Sequence, residues 1–341
     1  MKMAMFDTHA YDRTAFEAAN AAFGHAITFF DLRLTEDTAP LARGHDCVCC
    51  FVADRLNADA LEALHRDGVR LVALRCAGYN NVDLVTAARL GLPVVRVPEY
   101  SPHAVAEHAV GLVLALNRKI HRAYARVREW NFSLDGLVGF DLYGKTVGIV
   151  GTGRIGLATA RIFRGFGCRV LAFDLHPALD AARALELEYV ELPTLFSESD
   201  VISLHVPLTP ATYHMIDAAA LASMKPGVFL INTGRGALID SSALIQALKR
   251  GSIGAAGLDV YEEEEGIFFE DLSNRVLQDD VLARLLTFPN VVVTSHQAFL
   301  TREALGNIAT TTLENVSAFE RGLPLMNQVR AEDVLRPSAP A

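Results

Sequence analysis

Short apolar runs alternate with helix-like segments along nearly the whole chain. Residues 3–6, 27–30, 47–52, 71–74 and 94–97 are such runs, and helix-like segments at 15–23, 57–66 and 82–90 lie between them. Runs this short, separated by helices, predict a parallel sheet covered by helices, so the first hundred residues predict a small α/β domain. Pro98 and Pro102 then bracket residues 99–101, and Ser101 can cap a helix that has Pro102 at its first position. The pattern predicts one long helix from Pro102 to about Glu129, either bridging two domains or simply opening the second. From Thr146 the alternation resumes, with apolar runs at Val147, Val170, Tyr189, Val201, Val228, Ala255 and Val291. Seven candidate strands suit a doubly wound sheet, whose ligands bind beyond the carboxyl ends of the strands where the strand order reverses. A last helix, from Thr301 to about Phe319, could cross back to the first domain, and the tail from Arg330, with Pro337 and Pro340, reads as disordered.

One stretch carries more chemistry than this alternation. Residues 146–174 read TVGIVGTGRIGLATARIFRGFGCRVLAFD: a strand, the glycines Gly151, Gly153 and Gly156, a helix, and a second strand ending on Asp174. Gly151 allows a tight turn out of the strand, Gly153 lets the backbone approach a pyrophosphate, and Gly156 permits close packing of helix on sheet. The helix N-terminus offers free N–H groups and a positive dipole to the phosphates. Asp174, 18 positions past Gly156, can accept hydrogen bonds from the adenosine ribose hydroxyls and would repel a 2′-phosphate. Leu175 and His176 supply no arginine to reverse that preference, so the stretch predicts NAD rather than NADP.

Composition narrows the setting. At 341 residues the chain suits roughly two domains, and with 51% hydrophobic residues each can build a core. A formal charge of −9 and a pI near 5.7 give no general attraction to polyanions, and no basic run is interleaved with aromatics, so nucleic acid is not an expected partner. Three of the five cysteines, Cys47, Cys49 and Cys50, crowd one apolar run without a CxxC pair or zinc-ligand histidines. Buried thiols in a reducing compartment are expected, with no disulfide and no metal. The opening MKMAMFDTHAYDR is too weakly apolar for a signal peptide, and the most apolar helical stretch, residues 104–116, carries Glu107 and His108 and falls short of a membrane span. The expectation is a soluble cytoplasmic protein with no membrane partner.

Three strand ends of the second domain carry reactive groups: residues 232–236 (NTGRG), Asp259, and Ser295 with His296. Reducing a ketone with a nicotinamide needs a hydride at carbon and a proton at oxygen, so an acid that works near neutral pH must stand beside the carbonyl. Histidine meets that requirement. A carboxylate beside such a histidine favours the protonated ring and fixes its tautomer. An arginine fork can hold a substrate carboxylate by two charge-assisted hydrogen bonds and polarise the adjacent carbonyl. Arg235, between two glycines, and His296 are the candidates. Duller roles stay open for both, and four glutamates in a row, residues 262–265, normally form an acidic surface. Periodicity does not select Glu264 from its neighbours.

These residues lie in motifs that resemble the D-isomer-specific 2-hydroxyacid dehydrogenase family, and within it the members that ferment pyruvate to D-lactate. The motifs are RCAGYNNVDL (75–84), VPEYSPHAVAEHAVG (97–111), GTGRIG with Asp174, SESDVISLHVPLTP (197–210), INTGRGALID (231–240), GLDVYEEEE (257–265) and TSHQAFLT (294–301), and the resemblance spans nearly the whole chain. It implies that Arg235 is the active arginine, His296 the acid–base histidine, and Glu264, five positions after Asp259, the glutamate that keeps His296 protonated. It implies cofactor contacts at Arg154, Ile155, Asp174, Val206, Pro207, Thr212, Thr233 and Asp259, beside the glycines. Substrate contacts would be the backbone amides of Ala77 and Gly78 together with Tyr100, and Phe51 would close the pocket around a small side chain such as the methyl of pyruvate. One departure is Gly234, where the close lactate-forming members usually carry serine.

With this resemblance the chain reads as a Rossmann-type doubly wound parallel sheet, residues 101–297, inserted into a smaller flavodoxin-like α/β substrate domain, residues 1–100 and 298–341. The expected activity is reversible hydride transfer between NADH and pyruvate giving D-lactate, by a homodimer or homotetramer. The alternatives are a dehydrogenase for bulkier 2-oxo acids, such as phenylpyruvate or branched-chain acids, and a non-catalytic NADH-sensing corepressor.

Overall fold

In the computed structural model, which describes residues 1–332, the first five apolar runs form parallel strands: β1 (Lys2–Met5), β2 (Ala26–Phe29), β3 (Cys47–Cys50), β4 (Leu71–Leu74) and β5 (Val94–Val95). They lie in the order β5-β4-β3-β1-β2. Every residue of β3 and β4 is buried. Helices cover both faces of such a sheet, so CVCC and LVAL show no polar alternation. The order reverses between β1 and β3, and the loops leaving those two strands carry Asp7 and residues 51–54. Cys47, Cys49 and Cys50 are free thiols, and burial pushes the Cys49 thiol up to about 12. Arg75 follows β4 and is 1% exposed. Its Nε donates to Asp12 Oδ1 at 3.3 Å, its Nη1 to Phe6 O at 2.9 Å and its Nη2 to Asp7 O at 2.5 Å, so the buried cation is paired at three of its donors.

The seven later runs form a second parallel sheet: β6 (Thr146–Val150), β7 (Arg169–Phe173), β8 (Glu188–Tyr189), β9 (Val201–Leu204), β10 (Val228–Asn232), β11 (Ile253–Leu258) and β12 (Val291–Val293). The order is β12-β11-β10-β9-β6-β7-β8, so it reverses between β6 and β9. Ala109, Val113 and Leu116 of the helix Pro102–Asn117 pack with Ile149, Phe163 and Ile231 in one core, and Leu195, Leu204, Leu230, Leu244 and Leu258 belong to another. The sheet is the doubly wound Rossmann-type arrangement expected from the alternation.

Two local features differ from the sequence pattern. The predicted helix from Pro102 to Glu129 is two helices, Pro102–Asn117 and Ile120–Arg128, separated where Lys119 takes a left-handed φ of 48°. Beside the break, the buried Asn117 pairs with the returning main chain: its Oδ1 accepts from Phe140 N at 2.8 Å and its Nδ2 donates to Phe140 O at 2.7 Å. A left-handed residue ends the i→i−4 ladder, and an apolar pattern running through Leu116, Ile120 and Tyr124 does not register it. The second difference is β13 (Gln328–Val329), an antiparallel strand beside β5, too short to stand out in the sequence.

The chain divides into two compact units, Met1–Ser101 with Phe299–Ala341, and Pro102–Ala298. Within the first, the helix Arg302–Glu320, capped by Thr301 Oγ on Ala304 N at 3.2 Å, packs against the helix Ala10–Asn20 and against β4. Of the tail that starts at Arg330, residues 333–341 lie outside the described residues.

Candidate active site

The unit of residues 102–298 holds a dinucleotide cradle at the point where its strand order reverses. Gly151 leaves β6 with φ of 95°, a conformation L side chains rarely adopt, and a Cβ there would crowd His205 O just beyond β9. A Cβ on Gly156 would overlap Gly151 O, so the turn and the helix Arg154–Gly165 close on each other only through glycine. Gly153 caps that helix with no side-chain bond and faces open space. The first intrahelical bond is Leu157 N to Gly153 O, which leaves the N–H groups at Arg154, Ile155 and Gly156 outside the helical ladder and suited to an anion.

Asp174 stands one residue past β7 with its carboxylate against this turn. Its Oδ2 accepts from Thr152 N at 2.6 Å and Thr152 Oγ at 3.0 Å, and its Oδ1 from His176 N at 2.9 Å. Val206 and Pro207 follow β9, and the Thr212 hydroxyl ties their loop by donating to Pro207 O at 2.7 Å and accepting from Thr209 N at 2.8 Å. Thr233, after β10, has a buried Oγ with no hydrogen-bond partner among the described residues. A helix N-terminus for phosphates, a carboxylate for a ribose diol and an unsatisfied hydroxyl fit a nicotinamide dinucleotide.

Arg235 sits two residues beyond Thr233, its carbonyl held by Asn232 Nδ2 at 2.8 Å and its Nη1 donating to Gly234 O at 2.7 Å. A Cβ on Gly234 would lie 3.5 Å from Asn232 Oδ1 and Leu238 Cδ1. That is ordinary contact, so the glycine departure leaves the shape of the arginine loop unstrained.

His296 has φ of 52°, and its own N–H donates to Asp259 O at 2.7 Å. Asp259, expected as a cofactor contact, is 0% exposed with its carboxylate turned to the histidine loop: Oδ1 accepts from Thr294 Oγ at 2.6 Å and Gln297 N at 2.9 Å, and Oδ2 from Ala298 N at 2.9 Å. His108 Nε2 lies 2.9 Å from Thr294 Oγ and 3.3 Å from Asp259 Oδ1. Burial opposes ionisation of Asp259, but His108, Thr294 and the Ala298 N–H outweigh it and hold the carboxyl below its ordinary value. His108 and Thr294 were absent from the sequence candidates, since only the folded chain brings them to Asp259.

The four consecutive glutamates separate by partner. Glu264 Oε1 lies 2.9 Å from His296 Nδ1, while Glu262 Oε1 lies 2.5 Å from His214 Nε2 and Glu263 and Glu265 are exposed. Glu264 Oε2 accepts from Tyr261 N at 3.2 Å, which fixes the carboxylate. His296 Nε2 has no hydrogen-bond partner among the described residues, and the Phe269 ring lies 5.9 Å from the imidazole.

In the other unit, the residues expected at the substrate occupy loops at the carboxyl ends of β3, β4 and β5. Phe51 is 6% exposed, and its ring stands 5.8 Å from Phe299, which in turn stands 6.3 Å from Tyr100. Ala77 O accepts from Arg96 Nη1 at 2.8 Å, whereas the N–H groups of Ala77 and Gly78 donate to no acceptor among the described residues. Two such amides suit a carboxylate.

Comparison with known proteins places these features in context. Residues 110–298 match the family model described as D-isomer specific 2-hydroxyacid dehydrogenase, NAD binding domain. A D-lactate dehydrogenase of Escherichia coli K12 is 56% identical over 329 residues, covering 96% of this chain and 100% of that relative. The apo-structure of D-lactate dehydrogenase from Escherichia coli superposes with a TM-score of 0.90 at 54% identity, covering 96% and 100% of the two chains. The pyruvate reductase of Chlamydomonas reinhardtii gives a TM-score of 0.92 at 46% identity, covering 96% and 98%.

Proposed function

The chain belongs to the D-isomer specific 2-hydroxyacid dehydrogenase family, and from that premise we infer that it is an NAD-dependent D-lactate dehydrogenase that interconverts pyruvate and D-lactate. The observation that carries the catalytic reading is the His296–Glu264 pair: Nδ1 is engaged by a carboxylate at 2.9 Å, and Nε2 is left for a substrate oxygen. A bound nicotinamide supplies or takes up the hydride at the substrate's second carbon. Glu264 accepts from Nδ1, keeps a proton there and holds the ring in one orientation. Nε2 of His296 then delivers its proton to the carbonyl oxygen of pyruvate, and in the reverse direction takes the hydroxyl proton of D-lactate. Arg235 binds the carboxylate through its guanidinium and draws electron density from the adjoining carbonyl. In the other unit, the N–H groups of Ala77 and Gly78 are donors of the kind a 2-oxo acid carboxylate takes, and Phe51 and Tyr100 are the aromatic groups that suit a small side chain.

The test is NADH oxidation with pyruvate, 2-oxoisocaproate and phenylpyruvate, repeated with NADPH. The reading expects pyruvate and NADH to give the highest kcat/KM, and a preference for phenylpyruvate would move the chain to the bulkier-substrate members of its family. Equal efficiency with NADPH would contradict the role given to Asp174. Within this enzyme, Glu264→Gln should lower kcat for pyruvate by about 10- to 100-fold, because a general acid left without its partner loses part of a 10²- to 10⁴-fold effect. Glu262→Gln should leave kcat within about threefold of wild type, since its carboxylate serves His214. Equal losses in the two variants would contradict the assignment.

Self-association fits the exposed apolar residues of the segment after Asn117. The helix Ile120–Arg128 buries none of its residues, and Tyr124, Trp130, Phe132, Leu134 and Val138 are 64–84% exposed. A patch of this kind is what a homodimer or homotetramer would cover. Light scattering distinguishes the two, and Leu134→Glu should shift the assembly toward monomer; a monomeric wild type would contradict it. A reducing, cytoplasmic setting suits the five free, buried cysteines. Among the described residues no helix is long and apolar enough to cross a membrane.

A further inference from the structure

Phe51 is held by its main chain as well as by its ring. Its N–H donates to Asp54 Oδ2 at 2.6 Å, and its carbonyl accepts from Asn81 Nδ2 at 2.9 Å. The same Asn81 nitrogen donates its other proton to Asp54 O at 2.8 Å. Asp54 is 1% exposed, and its second oxygen, Oδ1, accepts from Leu34 N at 2.6 Å, so the carboxylate is engaged on both sides. Burial pushes the Asp54 carboxyl up to about 7 against the opposing pull of Arg75 and the two N–H groups. The Arg75 guanidinium stands over the Phe51 ring at 4.7 Å, and Phe299 meets the ring at 5.8 Å.

A phenylalanine that merely fills a core needs apolar neighbours and no such main-chain clamp. Asn81 also has a second connection. It lies three residues after Gly78, in the loop that presents the unpartnered N–H groups of Ala77 and Gly78. One side chain therefore ties the loop after β3, which carries the aromatic wall, to the loop after β4, which carries the two amides. Both donors of its amide are used, and both acceptors are main-chain carbonyls. Among uncharged side chains only asparagine and glutamine supply two N–H bonds from one planar nitrogen, and asparagine does so on the shorter arm.

We propose that Asn81 is a specificity-determining positioning residue: its amide sets the spacing between the Phe51 wall and the Ala77 and Gly78 amides, and so restricts the pocket to 2-oxo acids with a small side chain. This inference rests on the pyruvate reading above. Asn81 touches no reacting atom in it and acts through Phe51 and the amide loop. Asp54 braces the opposite side of Phe51.

Asn81→Asp keeps size and planarity but removes both donors and sets a carboxylate against two carbonyl oxygens. Its kcat/KM for pyruvate should fall roughly 10- to 100-fold, chiefly through KM, because sub-ångström to ångström misplacement of binding groups has effects of that size. Phenylpyruvate should lose less than about threefold, so the ratio of the two substrates shifts toward the bulky one, by a factor that general stability loss would not produce. Asn81→Gln, which retains both donors on a longer arm, should keep more of the pyruvate preference than Asn81→Asp and serves where the aspartate variant folds poorly. NADH binding by fluorescence and thermal melting accompany each variant. Equal losses for both substrates, an unchanged ratio, or a glutamine variant no better than the aspartate one would overturn the clamp while the wild type still reduces pyruvate. A wild type inert toward both substrates would overturn the pyruvate reading together with the clamp.

Discussion

His296→Ala should lower pyruvate reduction by about 10²- to 10⁴-fold while NADH binding stays near the wild-type value. The imidazole is the one titratable ring in the site with Nδ1 engaged by a carboxylate, at 2.9 Å from Glu264, and Nε2 without a partner among the described residues. Alanine removes the proton donor but leaves the cradle of Gly151, Gly156 and Asp174 untouched. The fall should therefore lie in kcat, and a titration of NADH fluorescence should give an unchanged Kd. Near-normal turnover would refute the role, and a large rise in the NADH Kd would point instead to a structural function for the loop held by Asp259.

Arg235→Lys should act on the substrate rather than on the proton. Lysine preserves the charge but offers no planar fork, and the loss of one charge-assisted hydrogen bond is worth about 1.5–3 kcal/mol. That corresponds to a rise of roughly 10- to 100-fold in the pyruvate KM, with a further loss in kcat if the fork also polarises the carbonyl. The loop itself should persist, because Asn232 Nδ2 holds the carbonyl at residue 235 and Asn232 Oδ1 accepts from Gly234 N at 3.0 Å, whichever side chain stands there. A variant with wild-type KM and kcat would contradict the assignment.

The strands were legible in the sequence because a parallel sheet covered on both faces leaves uninterrupted apolar runs. CVCC at β3 and LVAL at β4, buried at every position, are examples. Asp174 was legible because the strand–turn–helix–strand unit places an acid at the second strand end at a regular distance from the glycines. The division of labour among the glutamates was not. Residues 262–265 are chemically alike, and only the fold sends Glu262 to His214 and Glu264 to His296. The family spacing picks out Glu264, and the structure sets its carboxylate 2.9 Å from His296 Nδ1. The break at Lys119 and the strand β13 escaped notice for a related reason. One is a single left-handed residue beside Asn117, whose amide pairs with Phe140 23 positions away, and the other is two residues pairing with β5, and neither leaves a periodic trace. His108 and Thr294 were missed because a histidine inside a helix and a threonine after a strand acquire meaning only through Asp259.

Asp259 links these observations. Its carboxylate shapes residues 294–298, its carbonyl accepts from His296 N, and its neighbour Thr294 is braced by His108. His296, the proposed proton donor, is thus held by a buried polar network rather than by packing alone, which suits a group that must keep one orientation as charge moves.

This chain should reduce pyruvate with NADH to one enantiomer of lactate. The most direct measurement incubates the purified protein with pyruvate and NADH and resolves the product by chiral chromatography. D-lactate formed in step with NADH oxidation is the predicted result. L-lactate as the main product, or NADH left unoxidised, would contradict the account.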